Sequence, residues 1–341
     1  MPFWCLKVGL LVTVWCVSVL WCDVQSASIL QRQGSVLEVV FFTNFVGCFF
    51  TTGACLLLRR GSFTDMRSLA CTLYERPMMW RLLLSVASVN VMATWCMFLS
   101  FTFSGMTHVY AVKTTEPLLM CLLSMECTQK LIKNALSKGR SAKDPFADVE
   151  EYPLSTKLIT FRTWMCVLIV CIGAFLTSGS LKRNTNTSFG ILVLLFTYSL
   201  VLVSNCALAL RTTLMKPLLH VLPDESSVFS SCSIYVFMSM LGSSALVLPV
   251  LVYRGKHLLE YDMDTWKQFL VVGLSYGTYQ ACNGMVLFHV TPLAYSILKQ
   301  VRVVLIFFFS LYYFGKEIES TSQLFIGLIL LFSGTYCYAA V

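Results

Sequence analysis

The sequence predicts an all-α integral membrane protein with about ten transmembrane helices. Composition, the length of its apolar runs and the placement of its charges lead to that class. Of 341 residues, 57% are hydrophobic and 12% charged, with a mean hydropathy of +0.74. Soluble domains carry about a quarter charged residues, so this chain needs lipid around it.

A helix crosses the hydrocarbon with about 20 mostly apolar residues. The first half offers runs at Val8–Leu30, Val36–Leu58, Leu82–Phe103, Met106–Met125 and Thr163–Leu181. The second half offers Phe189–Leu210, Val228–Tyr253, Phe269–Val290, Leu293–Phe314 and Leu324–Val341. The first run also resembles a cleavable signal peptide, with Lys7 ahead of it and small residues at Ser26 to Ser28. It is read as an uncleaved helix.

An even number of spans puts both termini on one side. The cations outside the runs crowd that side by about two to one, which makes it cytosolic. They include Arg59, Arg60, Arg67, Arg76 and Arg81, the basic residues of the loop at 128–157, and Arg211 with Lys216. The opposite side holds fewer, among them Arg32, Lys182, Arg183 and Arg254. Asn186-Thr187-Ser188 is a glycosylation sequon on that opposite side. The 128–157 segment is expected to be a solvated cytosolic loop.

The net charge of +8 is therefore a matter of topology, and no nucleic-acid partner is expected. Fifteen cysteines and four histidines form no C-x-x-C pair and no metal-ligand spacing, so neither a metal site nor a disulfide framework is expected. No Gly-rich phosphate loop or H-E-x-x-H is present, so no catalytic residue and no cofactor are expected. Asp262 and Asp264 lie in a loop without a partner acid, which argues against an intramembrane aspartyl protease.

Three cations fall inside apolar runs: Lys113 in the fourth, Lys299 and Arg302 in the ninth. A charge at that depth costs a few kcal/mol or more, roughly, and so belongs to a cavity or a partner. On a continuous helix Tyr110, Lys113 and Pro117 share a face, as do Tyr295, Lys299 and Arg302. Glu116, three residues from Lys113, is the nearest acid and could neutralise it. Asp23 and Glu38 belong to the non-cytosolic ends of the first two helices and could pair elsewhere. The reading is a net-positive cavity for an anionic solute, most naturally a phosphate.

The segment Thr107-His108-Val109-Tyr110-Ala111-Val112-Lys113-Thr114-Thr115-Glu116-Pro117 resembles one in the triose-phosphate and nucleotide-sugar transporter family, of the drug/metabolite transporter superfamily. Pro292-Leu293-Ala294-Tyr295-Ser296, followed by Val301-Arg302-Val303, is similar to that family's ninth helix. Tyr279 and the stretch from Ser204-Asn205-Cys206 through Arg211 to Lys216 resemble further segments.

The resemblance implies two inverted five-helix repeats, residues 1–182 and 183–341, with substrate bound between them near the midplane. It implies an antiporter for a phosphorylated sugar compound, with Lys113 and Arg302 on the phosphate, Lys299 assisting, and Tyr279 with Tyr295 on the sugar or base. Plastid members place a His and a Thr where this chain has Thr94 and Met97, and an Arg where it has Val303. Those departures favour a nucleotide sugar over triose phosphate, with a sugar-phosphate/phosphate exchanger as the alternative. A Golgi or ER membrane is expected, and a plastid-type organelle is the alternative. The expected partners are a small-molecule organophosphate and membrane lipid, with a homodimer left open. A receptor or scaffold without transport and a lipid-modifying enzyme are the rivals from other classes.

Overall fold

Hydrocarbon supplies no water to bond a backbone, so a chain this apolar crosses it only where each N–H and C=O is satisfied within the segment. The computed structural model describes residues 2–32, 35–58, 77–103, 106–123, 161–179, 191–220, 227–313 and 321–339, and every regular element among them is an α-helix. In chain order they are α1 (Pro2–Arg32), α2 (Val36–Leu58), α3 (Pro77–Phe103), α4 (Met106–Lys113), α5 (Glu116–Leu123) and α6 (Phe161–Gly179). Then come α7 (Ile191–His220), α8 (Ser227–Leu258), α9 (Met263–His289), α10 (Pro292–Tyr313) and α11 (Thr321–Ala339). The loop at 128–157 and the Asn186 sequon lie outside the described residues.

Each expected run is one helix except the fourth, which breaks at Thr114 and Thr115 into α4 and α5. Pro117 has no N–H to offer the Lys113 carbonyl, and a proline fits only the first turn of a helix, so a new helix begins beside it. The break is closed by other donors. The Val112 carbonyl accepts from Thr115 N at 3.1 Å, from Thr115 Oγ1 at 2.9 Å and from Asn205 Nδ2 of α7 at 3.2 Å. Lys113 and Pro117 therefore sit on different helices, and the shared face expected of a continuous helix does not form.

Six helices, α1, α2, α3, α7, α8 and α11, are long and apolar enough alone to cross a membrane; α6 is apolar but shorter. The remaining four, α4, α5, α9 and α10, bear polar side chains that line or adjoin the central cavity. Outward-facing Leu248, Leu251, Phe325 and Ile329 are more than half exposed, as side chains facing lipid are.

Backbones meet closely where glycine removes the side chain. α6 lies along α11, α3 along α7, and α9 against both α1 and α2, while α8 also packs on α2. A Cβ on Gly173 would stand 2.4 Å from Leu331 N, and one on Gly327 2.7 Å from Thr177 N. At the α2–α9 crossing a Cβ on Gly277 would meet the Gly47 carbonyl at 2.8 Å, and Thr51 Oγ1 lies 3.3 Å from the Gly277 carbonyl. The glycines spaced by four in α9 thus serve packing.

Asp262 caps α9, its Oδ1 accepting from Thr265 N at 3.0 Å, and these bonds to Thr265 hold its carboxyl below the ordinary value. Asp264 pairs with Lys267 at 2.8 Å on the exposed first turn. Both acids serve the helix start.

The two largest of four apolar clusters among the described residues flank the middle of the bundle. One contains Trp15, Leu83, Val86, Met215, Tyr235 and Tyr295. The other, toward the α1–α2 connection, contains Val39, Val40, Phe98, Tyr110, Phe269 and Val272.

Candidate functional site

Between those clusters lies a cavity of about 540 Å³, mouth included. α1 contributes Val19, Cys22 and Asp23; α3 contributes Asn90, Ala93, Thr94, Met97 and Phe98; α4 contributes Lys113. Leu208 and Arg211 come from α7, Tyr276 and Tyr279 from α9, and Lys299 from α10. Val19 belongs to the first cluster and Cys22, Met97, Phe98 and Tyr276 to the second, while Tyr279 packs against both.

Three cations from three helices converge here. Lys113, Arg211 and Lys299 are 5%, 2% and 3% exposed. Lys113 Nζ stands 5.3 Å from the centroid of the Tyr110 ring and 2.8 Å from Met97 Sδ. Tyr110 donates its hydroxyl to Asp23, so α1 and α4 are joined at the cavity wall. Asp23 is thus a cavity residue, deeper than the helix-end position read from sequence.

Lys299 forms a buried ion pair with Glu116 of α5. That acid, expected beside Lys113, is carried by the α4–α5 break onto a separate helix, where α10 takes it. Lys299 Nζ also lies 4.5 Å from the centroid of the Tyr295 ring. Tyr295 itself is fully buried behind Lys299, packed on Trp15 at 5.5 Å between ring centroids. Arg302 is on α10, but its side chain lies outside the described residues, as does that of Val303.

Arg211 corrects the sequence reading, which placed it in a cytosolic loop. α7 continues through it to His220, and its guanidinium Nη1 donates to Asn90 Oδ1 at 2.6 Å. Asn90 Nδ2 donates to the Tyr276 hydroxyl at 3.1 Å, which also receives Gln280 Nε2 at 2.5 Å. Asn283 Nδ2 reaches Gln280 Oε1 at 3.3 Å and the Tyr235 hydroxyl at 3.1 Å, and its Oδ1 accepts from the Tyr295 hydroxyl. A polar chain therefore runs from Arg211 through α3 and α9 to the residue beneath Lys299. Buried polar groups connected in this way fix side-chain orientation.

A signal for Arg211 was present in the sequence. Ser204, Leu208 and Arg211 fall on one helical face, and Ser204 is buried, donating to the Ala93 carbonyl at 2.8 Å. Thr94 and Met97, singled out as departures, both line the cavity. Among the described residues no group of His, Cys, Asp and Glu is arranged to hold a metal ion.

The arrangement has the chemistry to hold an anion. Among the described residues, three cations against Asp23, with Glu116 behind Lys299, leave a positive balance in a space of low dielectric, where guanidinium and ammonium groups favour phosphate oxygens.

Comparison with known proteins gives two findings and one absence. The model of the Triose-phosphate Transporter family matches residues 153–339, more than half of the chain. A solved structure titled "Crystal structure of protein" superposes with a TM-score of 0.60 at 12% identity, over 98% of this chain and 96% of that one. At that identity the likeness shows the fold alone. No curated protein matches the chain. The family match covers Arg211, Tyr279 and Lys299 but not the cavity wall of α1, α3 and α4.

Proposed function

The chain belongs to the Triose-phosphate Transporter family, and from that premise we propose that it exchanges a phosphorylated sugar compound, a nucleotide sugar foremost, across a Golgi or ER membrane. Membership makes it a multi-pass carrier of a small solute. The observation that carries the finer reading is the convergence of Lys113, Arg211 and Lys299 on one buried cavity.

In this reading Arg211, Lys113 and Lys299 hold the phosphate oxygens, and Arg302 belongs with them from α10. Tyr279 contacts the sugar or base. Tyr295 acts from behind, orienting Lys299. Asp23 and Glu116 set the cavity's charge, leaving it positive when empty and close to neutral when an anion is bound. A neutralised cavity sheds its solvent and closes more readily than a charged one, so the loaded carrier reorients and the empty one does so poorly. That asymmetry is exchange.

Two inverted halves, 1–182 and 183–341, belong to the same proposal. The packing of α3 on α7 and of α1 on α9 supports it, because exchanging the halves interchanges these two pairs. A nucleotide sugar is favoured by Thr94 and Met97 on the cavity wall, which offer a small phosphorylated ketose fewer polar contacts than a His and a Thr would.

Thermal stabilisation of the purified protein tests the site. A panel of nucleotide sugars, sugar phosphates and inorganic phosphate is expected to contain a stabilising ligand whose effect shrinks with salt and vanishes in Lys113→Ala. A panel without effect, on protein that remains folded, would leave the receptor or scaffold reading in its place.

A further inference from the structure

Glu38, in the first turn of α2, is fully buried. Arg254 Nε donates to its Oε1 at 2.9 Å, and the Tyr261 hydroxyl donates to Oε2 at 2.6 Å. Ser35 N donates to Oε2 at 3.1 Å. Arg254 lies near the end of α8, and Tyr261 in the turn between α8 and α9. One carboxylate therefore ties the start of α2 to two segments more than two hundred residues later.

The tie sits over an apolar plug. Val36, Val39, Val40, Phe42, Val250 and Phe269 belong to one cluster with Cys22, Met97, Phe98 and Tyr276, which line the cavity. Tyr261 packs on the same cluster. The plug stands between the cavity and the membrane face of the α1–α2 connection.

Two properties would let this tie part. Parting α2 from α8 and the α8–α9 turn would remove the Arg254 and Tyr261 donors together, and water entering there would satisfy the carboxylate in their place. Arg254 is 27% exposed, so its charge is already at the water's edge and separation needs little further hydration.

We propose that Glu38, Arg254 and Tyr261 are the latch of a gate, holding the α2–α8–α9 plug shut over the cavity on the α1–α2 face and parting in each transport cycle. The proposal rests on the transporter reading, but its primary test needs no knowledge of the substrate. Cys22 is a buried cysteine on the cavity wall. In oriented proteoliposomes an impermeant thiol reagent is applied from the α1–α2 face, and Cys22 labelling is followed by site-resolved mass spectrometry.

Glu38→Gln and Arg254→Met are expected to raise the labelling rate at least ~10-fold, equivalent to ~1.4 kcal/mol lost from the closed state. Tyr261→Phe, which keeps the ion pair and the fold, is expected to raise it about fivefold. Glu38→Cys with Arg254→Cys, joined by a short reducible cross-linker, is expected to suppress labelling until reductant is added. Unchanged labelling in Tyr261→Phe and in the folded charge variants, or wild-type labelling in the cross-linked protein, would make the cluster a static brace and overturn the latch. Failure of the carrier to exchange any organophosphate would defeat the substrate reading while leaving these labelling results intact.

Discussion

Glu116 and Lys299 stand 183 residues apart in the chain and form an ion pair between α5 and α10 in which each side chain is 3% exposed. Neither charge could be held alone at this depth, so the pair joins the broken fourth span to the helix that carries the cavity's third cation.

Removing one partner strands the other. Glu116→Ala and Lys299→Ala are each expected to cost about 3–5 kcal/mol, read as a lower unfolding temperature in detergent. The reciprocal swap, Glu116→Lys with Lys299→Glu, is expected to recover most of that loss. Additive effects of the two single alanine variants in the double alanine variant would mean that the two side chains are not coupled.

Arg211 is expected to resist conservative replacement. Its guanidinium is held by Asn90 and still faces the cavity with further donors. Arg211→Lys keeps the charge but loses the planar fork, so transport should fall at least ~10-fold, the worth of ~1.4 kcal/mol, while membrane delivery is unchanged. Asn90→Ala should weaken transport in the same direction by freeing the guanidinium. Wild-type uptake in Arg211→Lys would reduce Arg211 to a packing element.

The α6–α11 interface should be the least tolerant of added bulk. A Cβ on Gly173 meets the backbone of α11 at under 3 Å, and a backbone cannot rotate away as a side chain can. Gly173→Ala is expected to destabilise by about 1–3 kcal/mol. Gly53→Ala has nothing within 4 Å of its new Cβ and should be neutral. Equal unfolding temperatures for the two variants would contradict the packing described.

Topology makes an independent prediction. Cysteines introduced at Lys138 and at Asn186, in a background lacking other accessible thiols, are expected to label from opposite membrane faces, with Lys138 cytosolic. Labelling of both from one face would overturn the arrangement of spans.

Helix positions were legible because hydropathy integrates over many residues, as α2 illustrates by running from Val36 to Leu58 as expected. The site was legible only where a charge interrupted an apolar run, as at Lys113 and Lys299. Arg211 was missed for the reverse reason. It stands at the end of an apolar run, where hydropathy alone ends the helix, although α7 continues for nine residues beyond it. Spacing alone offers Glu116 to Lys113, but a three-residue spacing implies contact only on an unbroken helix, and Pro117 breaks that one. Asp23 could not be placed beside Tyr110 by any local rule, since their meeting depends on how α1 packs.

Counter-exchange in proteoliposomes tests the proposed function most directly. Liposomes preloaded with a nucleotide sugar, a triose phosphate or inorganic phosphate are assayed for uptake of each labelled species. Exchange is expected to be fastest for a nucleotide sugar, to require an internal counter-substrate, and to disappear in Lys113→Ala and Arg302→Ala proteins that still reach the membrane. Triose phosphate exchanging for inorganic phosphate faster than any nucleotide sugar would contradict the substrate class, and near-normal exchange in either variant would contradict the phosphate role of that residue.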